Sequence, residues 1–163
     1  ALVLSRQGVD RHTKFSVYQN AIYLFVDKDM EYPFYDVLDE MEVLLTDEKD
    51  GIYLADVYCV RGYLAAKAGQ HARALKFVDS AWGVVKPHRG QIELPGLLEI
   101  PGLLAKLALV SVSAGDAARG REMLDRLDGY SGSTWERVAA GENATRAREL
   151  LAALEAEGST EAG

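Results

Sequence analysis

The stretch that decides the fold is residues 58–87, which read YCVRGYLAAKAGQHARALKFVDSAWGVVKP. Its second half places small or apolar residues at steps of three and four, the spacing of one face of an α-helix. These residues are Ala74, Leu75, Val78, Ala81, Trp82 and Val85. Gly69 separates this stripe from a similar one before it, and a proline follows at position 87. The stretch therefore predicts two helices joined by a tight turn, with small residues where the helices cross closely.

The same helical periodicity extends over most of the chain in both directions. The seven stripes cover residues 15–25, 34–45, 54–65, 74–85, 103–111, 117–127 and 147–154. Turn signals separate them: Pro33 suits a first helical turn, Gly115 with Asp116 predicts a helix end and a new N-cap, and Ser133 with Glu136 forms a capping box. No two-residue alternation predicts a sheet. The sequence thus predicts a single all-α domain of about seven helices arranged in hairpins.

One connection, residues 87–100, is longer than the others. It contains Pro95-Gly96-Leu97-Leu98, which Pro101-Gly102-Leu103-Leu104 then echoes. Two proline–glycine pairs six residues apart oppose one continuous helix. Two interpretations remain open: a connecting loop with a short helical turn, or a surface loop that grips a ligand.

The hairpin of residues 58–87 resembles the tetratricopeptide repeat (TPR), a helix-turn-helix unit of about 34 residues. That family carries an aromatic residue and a glycine in the first helix, a glycine in the turn and two alanines in the second helix. The matching residues are Tyr58, Gly62, Gly69, Ala74 and Ala81. Arg61 departs from the pattern, because a leucine is usual there, and Pro87 falls one residue late.

Alignment on the turn glycine gives a second copy of this repeat, because Gly115 stands 46 residues after Gly69. The matching positions are Leu104, Leu107, Ala108, Gly115, Gly120, Leu124 and Leu127. A degenerate first copy is expected to precede both, with Tyr18, Ile22, Phe25, Leu38 and Met41 in place. The resemblance implies a right-handed α-α superhelix of about three stacked TPR-like pairs, residues 14–46, 54–87 and 101–129, closed by a C-terminal capping helix over residues 133–157.

Arrays of the TPR family are mostly protein-binding scaffolds, so the resemblance implies a concave groove lined by the first helix of each pair. Carried over position by position, the expected partner-binding residues are Gln19, Tyr23, Asp27, Asp56, Cys59, Tyr63, Lys67, Ala105, Leu109 and Val112. Tyr23 and Tyr63 fall at equivalent places in their helices, and a tyrosine suits an interface because it joins a large apolar face to one polar tip. The expected partner is a peptide or another protein.

The first helix of the last pair is apolar on nearly every side, from Leu103 to Val112. A helix of that kind is either fully buried or faces a partner. Burial beneath the C-terminal helix or the 87–100 connection is one interpretation, and an apolar groove for a peptide is the other.

Composition excludes several classes of protein. The 163 residues carry a formal net charge of −7, which opposes binding to free nucleic acid. No apolar run approaches the roughly 20 residues of a membrane-spanning helix, so no membrane insertion is expected. Residues 27–56 hold eleven acidic residues against two lysines, whereas residues 57–91 hold six basic residues against one aspartate. Solvated helix faces explain this asymmetry, and an acidic patch beside a basic one is the alternative.

Catalysis and metal binding find little support in the residue pattern. The single cysteine, Cys59, is expected to be a small buried helix residue rather than a nucleophile, since no histidine shares its helix. The three histidines show no ligand spacing, and Asp36, Asp39, Glu40 and Glu42 fit a solvated helix face. We therefore expect no enzyme, no cofactor and no metal site.

Two hypotheses of different classes follow. The first is a binding module that holds a peptide or protein in the concave groove. The second is a regulatory or self-association segment of a larger protein, with the apolar face of residues 103–112 buried between chains or sensing a ligand. The chain begins at Ala1 without Met, so either a longer parent or a removed leader is expected; a cytoplasmic location is preferred, and the removed leader stays open.

Overall fold

The computed structural model describes residues 35–45, 51–85, 100–129 and 134–161. These residues form six α-helices and, within the described ranges, no strand. The helices are α1 (Tyr35–Leu44), α2 (Gly51–Lys67), α3 (His71–Val85), α4 (Ile100–Ser113), α5 (Ala117–Asp128) and α6 (Thr134–Glu161). The prediction of an all-α chain is confirmed, and six of the seven stripes fall on these six helices. The stripe of residues 15–25, most of the 87–100 connection and the signals at Pro33 and Ser133 lie outside the described residues.

Helices α2 and α3, and likewise α4 and α5, are joined by turns of the same kind. The turn glycines adopt positive φ, 73° at Gly69 and 81° at Gly115, a region where a β-carbon would be strained. In each turn the residue after the glycine donates its N–H to a carbonyl five residues back, Gln70 to Ala65 at 2.8 Å and Asp116 to Ser111 at 2.9 Å. These bonds satisfy carbonyls that the helix end leaves open. The two predicted turn glycines are confirmed.

The two hairpins cross closely at glycines in the positions that the sequence indicated. A β-carbon at Gly62 would lie 2.9 Å from Cγ1 of Val110 and 3.3 Å from the Ala74 carbonyl oxygen. One at Gly120 would lie 3.2 Å from Cγ2 of Val112. Gly62 therefore lets α2 approach both α3 and α4, and Gly120 lets α5 approach α4.

Helix α4 occupies the centre of the packing. It contacts α2, α3, α5 and α6, and α6 is its most extensive partner. Leu103, Leu107 and Leu109 are at most 1% exposed, so the apolar first helix of the last pair is buried. Its cover includes the C-terminal helix, as one of the two interpretations of the sequence expected. No helix of the described ranges is both long and apolar enough to cross a membrane.

Two sets of ion pairs connect α2 to its neighbours α4 and α1. Lys106 of α4 donates to Asp56 of α2 at 3.1 Å, and both side chains are buried. Arg61 of α2 donates to Asp39 of α1 at 2.5 Å and to Glu42 of α1 at 2.8 Å. Part of the charge asymmetry seen in the sequence is thus neutralised between helices. Asp39 and Glu42 form a docking contact for Arg61, so solvation alone does not account for this helix face.

Replacing Gly62 with alanine is expected to lower the free energy of unfolding by about 1–2 kcal/mol. The added methyl group would overpack Val110 and the Ala74 carbonyl, and that cost exceeds the roughly 1 kcal/mol gained in helix propensity. Gly83→Ala is the matched control, since a β-carbon there meets nothing within 4 Å in the described part of the chain. Urea denaturation should show Gly83→Ala neutral or stabilising; equal effects of both variants would contradict the close crossing.

Replacing Lys106 with methionine is expected to cost about 3–5 kcal/mol, because the buried Asp56 carboxylate loses its partner charge. The double variant Asp56→Leu/Lys106→Met should return to within about 1 kcal/mol of the wild type, since both charges are then absent. Chemical denaturation of the three proteins measures this. A double variant as unstable as the single one would show that the pair contributes by its shape rather than by its charge.

Candidate functional site

The expected partner-binding residues fall into two sets in the structure. Gln19, Tyr23 and Asp27 lie outside the described residues. Helix α2 carries Asp56, Cys59, Tyr63 and Lys67, and helix α4 carries Ala105, Leu109 and Val112. Helix α2 packs against α4, so this second set lies on two neighbouring helices.

Six of these seven side chains are buried, so they do not line an open groove. The six are Asp56, Cys59, Tyr63, Ala105, Leu109 and Val112, whereas Lys67 is exposed. Two helices account for this burial. Helix α4 packs against α2 and places Lys106 against Asp56, and α6 packs along α4 and places Ala144, Ala147 and Leu151 in the same buried cluster as Ala105 and Leu109. Val112 lies against Gly120 of α5, at the crossing of its own hairpin. The open surface expected from the sequence is thus covered by the chain itself.

Tyr63 is the point where α6 reaches α2. Its hydroxyl oxygen accepts a hydrogen bond of 2.9 Å from Nη2 of Arg146, and the same guanidinium lies 5.9 Å from the ring centroid. The ammonium of Lys67 lies 5.8 Å from that centroid. A cation near an aromatic face is worth about 0.5–1 kcal/mol at exposed sites. The tyrosine expected to anchor a partner therefore anchors the chain's own C-terminal helix.

Cys59 lies beside the buried ion pair of Asp56 and Lys106. Burial raises the pKa of the Cys59 thiol, and the nearby Asp56 carboxylate raises it further, while Lys106 opposes the shift. The thiol is therefore protonated at neutral pH, and a protonated, buried thiol is a poor nucleophile. This agrees with the expectation of a small buried helix residue. The described residues also contain no group of His, Cys, Asp and Glu side chains that could hold a metal ion.

The polar contact between α1 and α2 was not predicted from the sequence. Burial raises the pKa of Tyr58, and the charge of Glu42 and a hydrogen bond from the Tyr58 hydroxyl to that carboxylate raise it further; Arg61 opposes them. In the sequence, Arg61 stands where the repeat pattern has a leucine. A charged residue at an apolar position, next to an acidic helix, is the signal that could have indicated this contact.

A small recess opens at the turn between α2 and α3, and sequence reasoning missed it as well. Its volume is about 80 Å³, and its lining consists of Arg61, Ala65, Gln70, Arg73 and Phe77. The available signal was the repeated pattern Ala-Gly-x-x-Ala-Arg, which occurs at residues 68–73 and again at residues 114–119. The two copies of this pattern differ in how their arginine is paired.

The native protein should react with Ellman's reagent at pH 8 on the order of a hundredfold more slowly than a small thiol, because Cys59 is buried with a raised pKa. After unfolding in guanidinium, one thiol per chain should react, since the chain has one cysteine. Absorbance at 412 nm follows the reaction. Rapid and complete reaction of the folded protein would contradict the burial of Cys59.

The chain matches no family model, no curated protein and no solved structure. Two features of the described residues bear on function. One is the surface of α4 and Tyr63 that α6 covers, and the other is the recess at the turn between α2 and α3.

Proposed function

We propose that this protein is a non-enzymatic interaction scaffold of the TPR-like kind, a right-handed superhelix of stacked helix pairs that binds a peptide or protein partner through α2 and α4. The support for a repeat is internal. Two hairpins share one turn geometry 46 residues apart, and each has a glycine at its crossing. The first helices of the two pairs, α2 and α4, also pack against one another.

The single observation that carries the proposal is that a helix already lies on the predicted binding surface. Helix α6 packs along α4 and is tied to α2 through Arg146 and Tyr63. A surface that holds an amphipathic helix is suited to helix-in-groove recognition. In this proposal α6 occupies the surface in the isolated chain, and a partner contributes a helix of the same kind in its place.

The contacts of α6 indicate what such a partner helix must carry. Its described apolar stripe consists of Ala144, Ala147 and Leu151, with Leu154 partly buried, at steps of three and four residues. Two alanines allow a close approach, and the first three side chains together are worth about 4 kcal/mol of apolar burial. An arginine beside the stripe reaches the Tyr63 hydroxyl. The partner is therefore a helix with small residues one turn apart, a leucine after them and a flanking arginine.

Helix α6 also forms ion pairs at its exposed edges. Arg148 donates to Asp128 at 2.6 Å, and Arg121 of α5 pairs with Glu155. Exposed ion pairs of this kind contribute about 0–1 kcal/mol each. Among the contacts of the described residues, a competing helix thus has to replace a short apolar stripe and a partly buried hydrogen bond to displace α6.

The second hypothesis, a regulatory or self-association segment, stays a prediction without a contact that favours it. It depended on burial of the apolar face of residues 103–112 between chains. In the structure that face is covered within one chain by α2, α5 and α6.

A fluorescent peptide of residues 134–161 tests the proposal in the full-length chain. Arg146→Ala should weaken the hold of α6 by about 1–2 kcal/mol, because the Tyr63 hydroxyl loses a charged donor and the ring loses a cation. The labelled peptide, which keeps its arginine, should then bind the Arg146→Ala chain roughly tenfold more tightly than the wild type. Fluorescence anisotropy measures both affinities.

Arg148→Ala is the matched control, because it removes an arginine two residues away whose ion pair is exposed. It should change peptide binding little. A peptide carrying Leu151→Asp should not bind either chain, since the charge would enter the apolar cluster. If neither folded chain binds the wild-type peptide, α6 is a permanent part of the core and the proposal is wrong.

A further inference from the structure

The recess between α2 and α3 stands apart from the surface covered by α6. Arg61, which lines it, precedes Tyr63 by two residues and so projects roughly 160° away around α2. The recess has a volume of about 80 Å³, whereas one water molecule needs about 10–15 Å³ of such volume, so the recess has room for more than one water. Two guanidinium groups, one amide and one aromatic ring line it, with Ala65 at its side.

The second copy of the turn, between α4 and α5, has an arginine four residues after its glycine, and this Arg119 is fully paired. Arg119 donates to Asp79 at 2.9 Å and to the Leu75 carbonyl oxygen at 3.4 Å. It also lies 3.5 Å from Asp116, the N-cap residue three positions before it. Arg119 therefore has two carboxylates and a carbonyl within its own chain.

The first copy of the turn lacks the carboxylate at the N-cap position. Arg73 takes the place of Arg119, and Gln70 takes the place of Asp116. Within the described residues Arg73 donates to the neutral Gln70 Oε1 at 3.0 Å, and its guanidinium lies 5.7 Å from the Phe77 ring centroid. The Arg73 guanidinium thus contacts an amide and an aromatic ring, whereas the Arg119 guanidinium contacts carboxylates.

Arg61 adds a second guanidinium to the recess, at the position where the second copy has the apolar Leu107. One of its terminal nitrogens, Nη2, serves both Asp39 and Glu42. Its Nε is buried and has no hydrogen-bond acceptor among the residues that the structure describes. A buried donor without an acceptor costs free energy, so an acceptor placed at this arginine would be stabilising.

We propose that this recess binds a carboxylate group. A carboxylate has two oxygens that match the planar donors of a guanidinium, and it would give Arg73 the partner that Asp116 gives Arg119. The pairing favours a monoanion. Arg61 is already paired with Asp39 and Glu42, whereas Arg73 contacts no carboxylate within the described residues, so a group with one negative charge matches Arg73 better than the larger charge of a phosphate. The inference does not depend on the groove proposed for α6.

Sodium acetate is the probe, added to the full-length protein and followed by the NMR signals of the arginine side chains. The Arg73 Nε–Hε signal and the Gln70 side-chain amide should shift in a saturable way. The Arg119 signal is the internal control and should stay in place, because its carboxylates are already present. Inorganic phosphate is the competing probe. If phosphate shifts the Arg73 signal to the same endpoint as acetate, with equal or higher affinity, the choice of a carboxylate is wrong.

Gln70→Asp is the decisive variant. It copies Asp116 of the second turn, supplies an internal carboxylate to Arg73 and improves the N-cap of α3, so the fold should be kept or stabilised. Acetate binding should weaken about tenfold or more, as it should in Arg73→Ala. Unchanged acetate affinity in both variants, or a shift of Arg73 that grows linearly without saturation in the wild type, would overturn the proposal.

Two sources of the carboxylate are distinguished by a second pair of probes. A five-residue peptide with a central glutamate and blocked ends is compared with its glutamine version. If the carboxylate belongs to a partner protein, the glutamate peptide should bind more tightly than acetate and the glutamine peptide should not bind. If it belongs to a small molecule, acetate should bind at least as tightly as the glutamate peptide. Equal binding of the two peptides would overturn the carboxylate as the recognised group.

Discussion

The need to bury α4 organises the described part of the chain. This helix has apolar side chains on every face, and burial of a leucine or valine side chain is worth about 1.5–3 kcal/mol. One neighbour cannot cover all faces of a helix, so α2, α3, α5 and α6 each take a part. The glycines at 62 and 120 are placed where two of these neighbours must come closest. The short turns then follow, because antiparallel neighbours need only a short connection.

The parts of this arrangement that the sequence predicts are those controlled by residues near one another in the chain. The stripe of Ala74, Val78 and Ala81 determines the buried face of α3, and all three residues are indeed buried. Gly69 and Gly115 end their helices because each can adopt a positive φ and align two N–H groups with open carbonyls. Asp116 caps α5 through the Arg119 amide for the same local reason.

The contacts that the sequence did not predict join residues far apart in the chain. Tyr63 and Arg146 are 83 positions apart, and no local pattern indicates that α6 would lie within reach of α2. The repeat pattern predicts that the partner-binding residues of α2 and α4 have one side open to solvent, whereas in the structure most of those side chains are buried. Whether Leu109 is exposed or buried depends on where α6 packs. The spacing of the alanines in α6 does not determine which helix α6 packs against. Arg61 shows the same limit, since its partners Asp39 and Glu42 lie on another helix.

One charged residue, Lys106, determines how α4 is rotated about its own axis. Apolar contacts are not directional, so a helix apolar on all sides could rotate about its axis with little change in buried area. Lys106 removes that freedom, because its ammonium must meet the Asp56 carboxylate of α2 or remain unpaired in the core. With that face assigned to α2, Val112 meets α5 at Gly120 and the remaining apolar surface is left for α6. The buried ion pair therefore selects which face of α4 a helix can cover, and so where the surface covered by α6 lies.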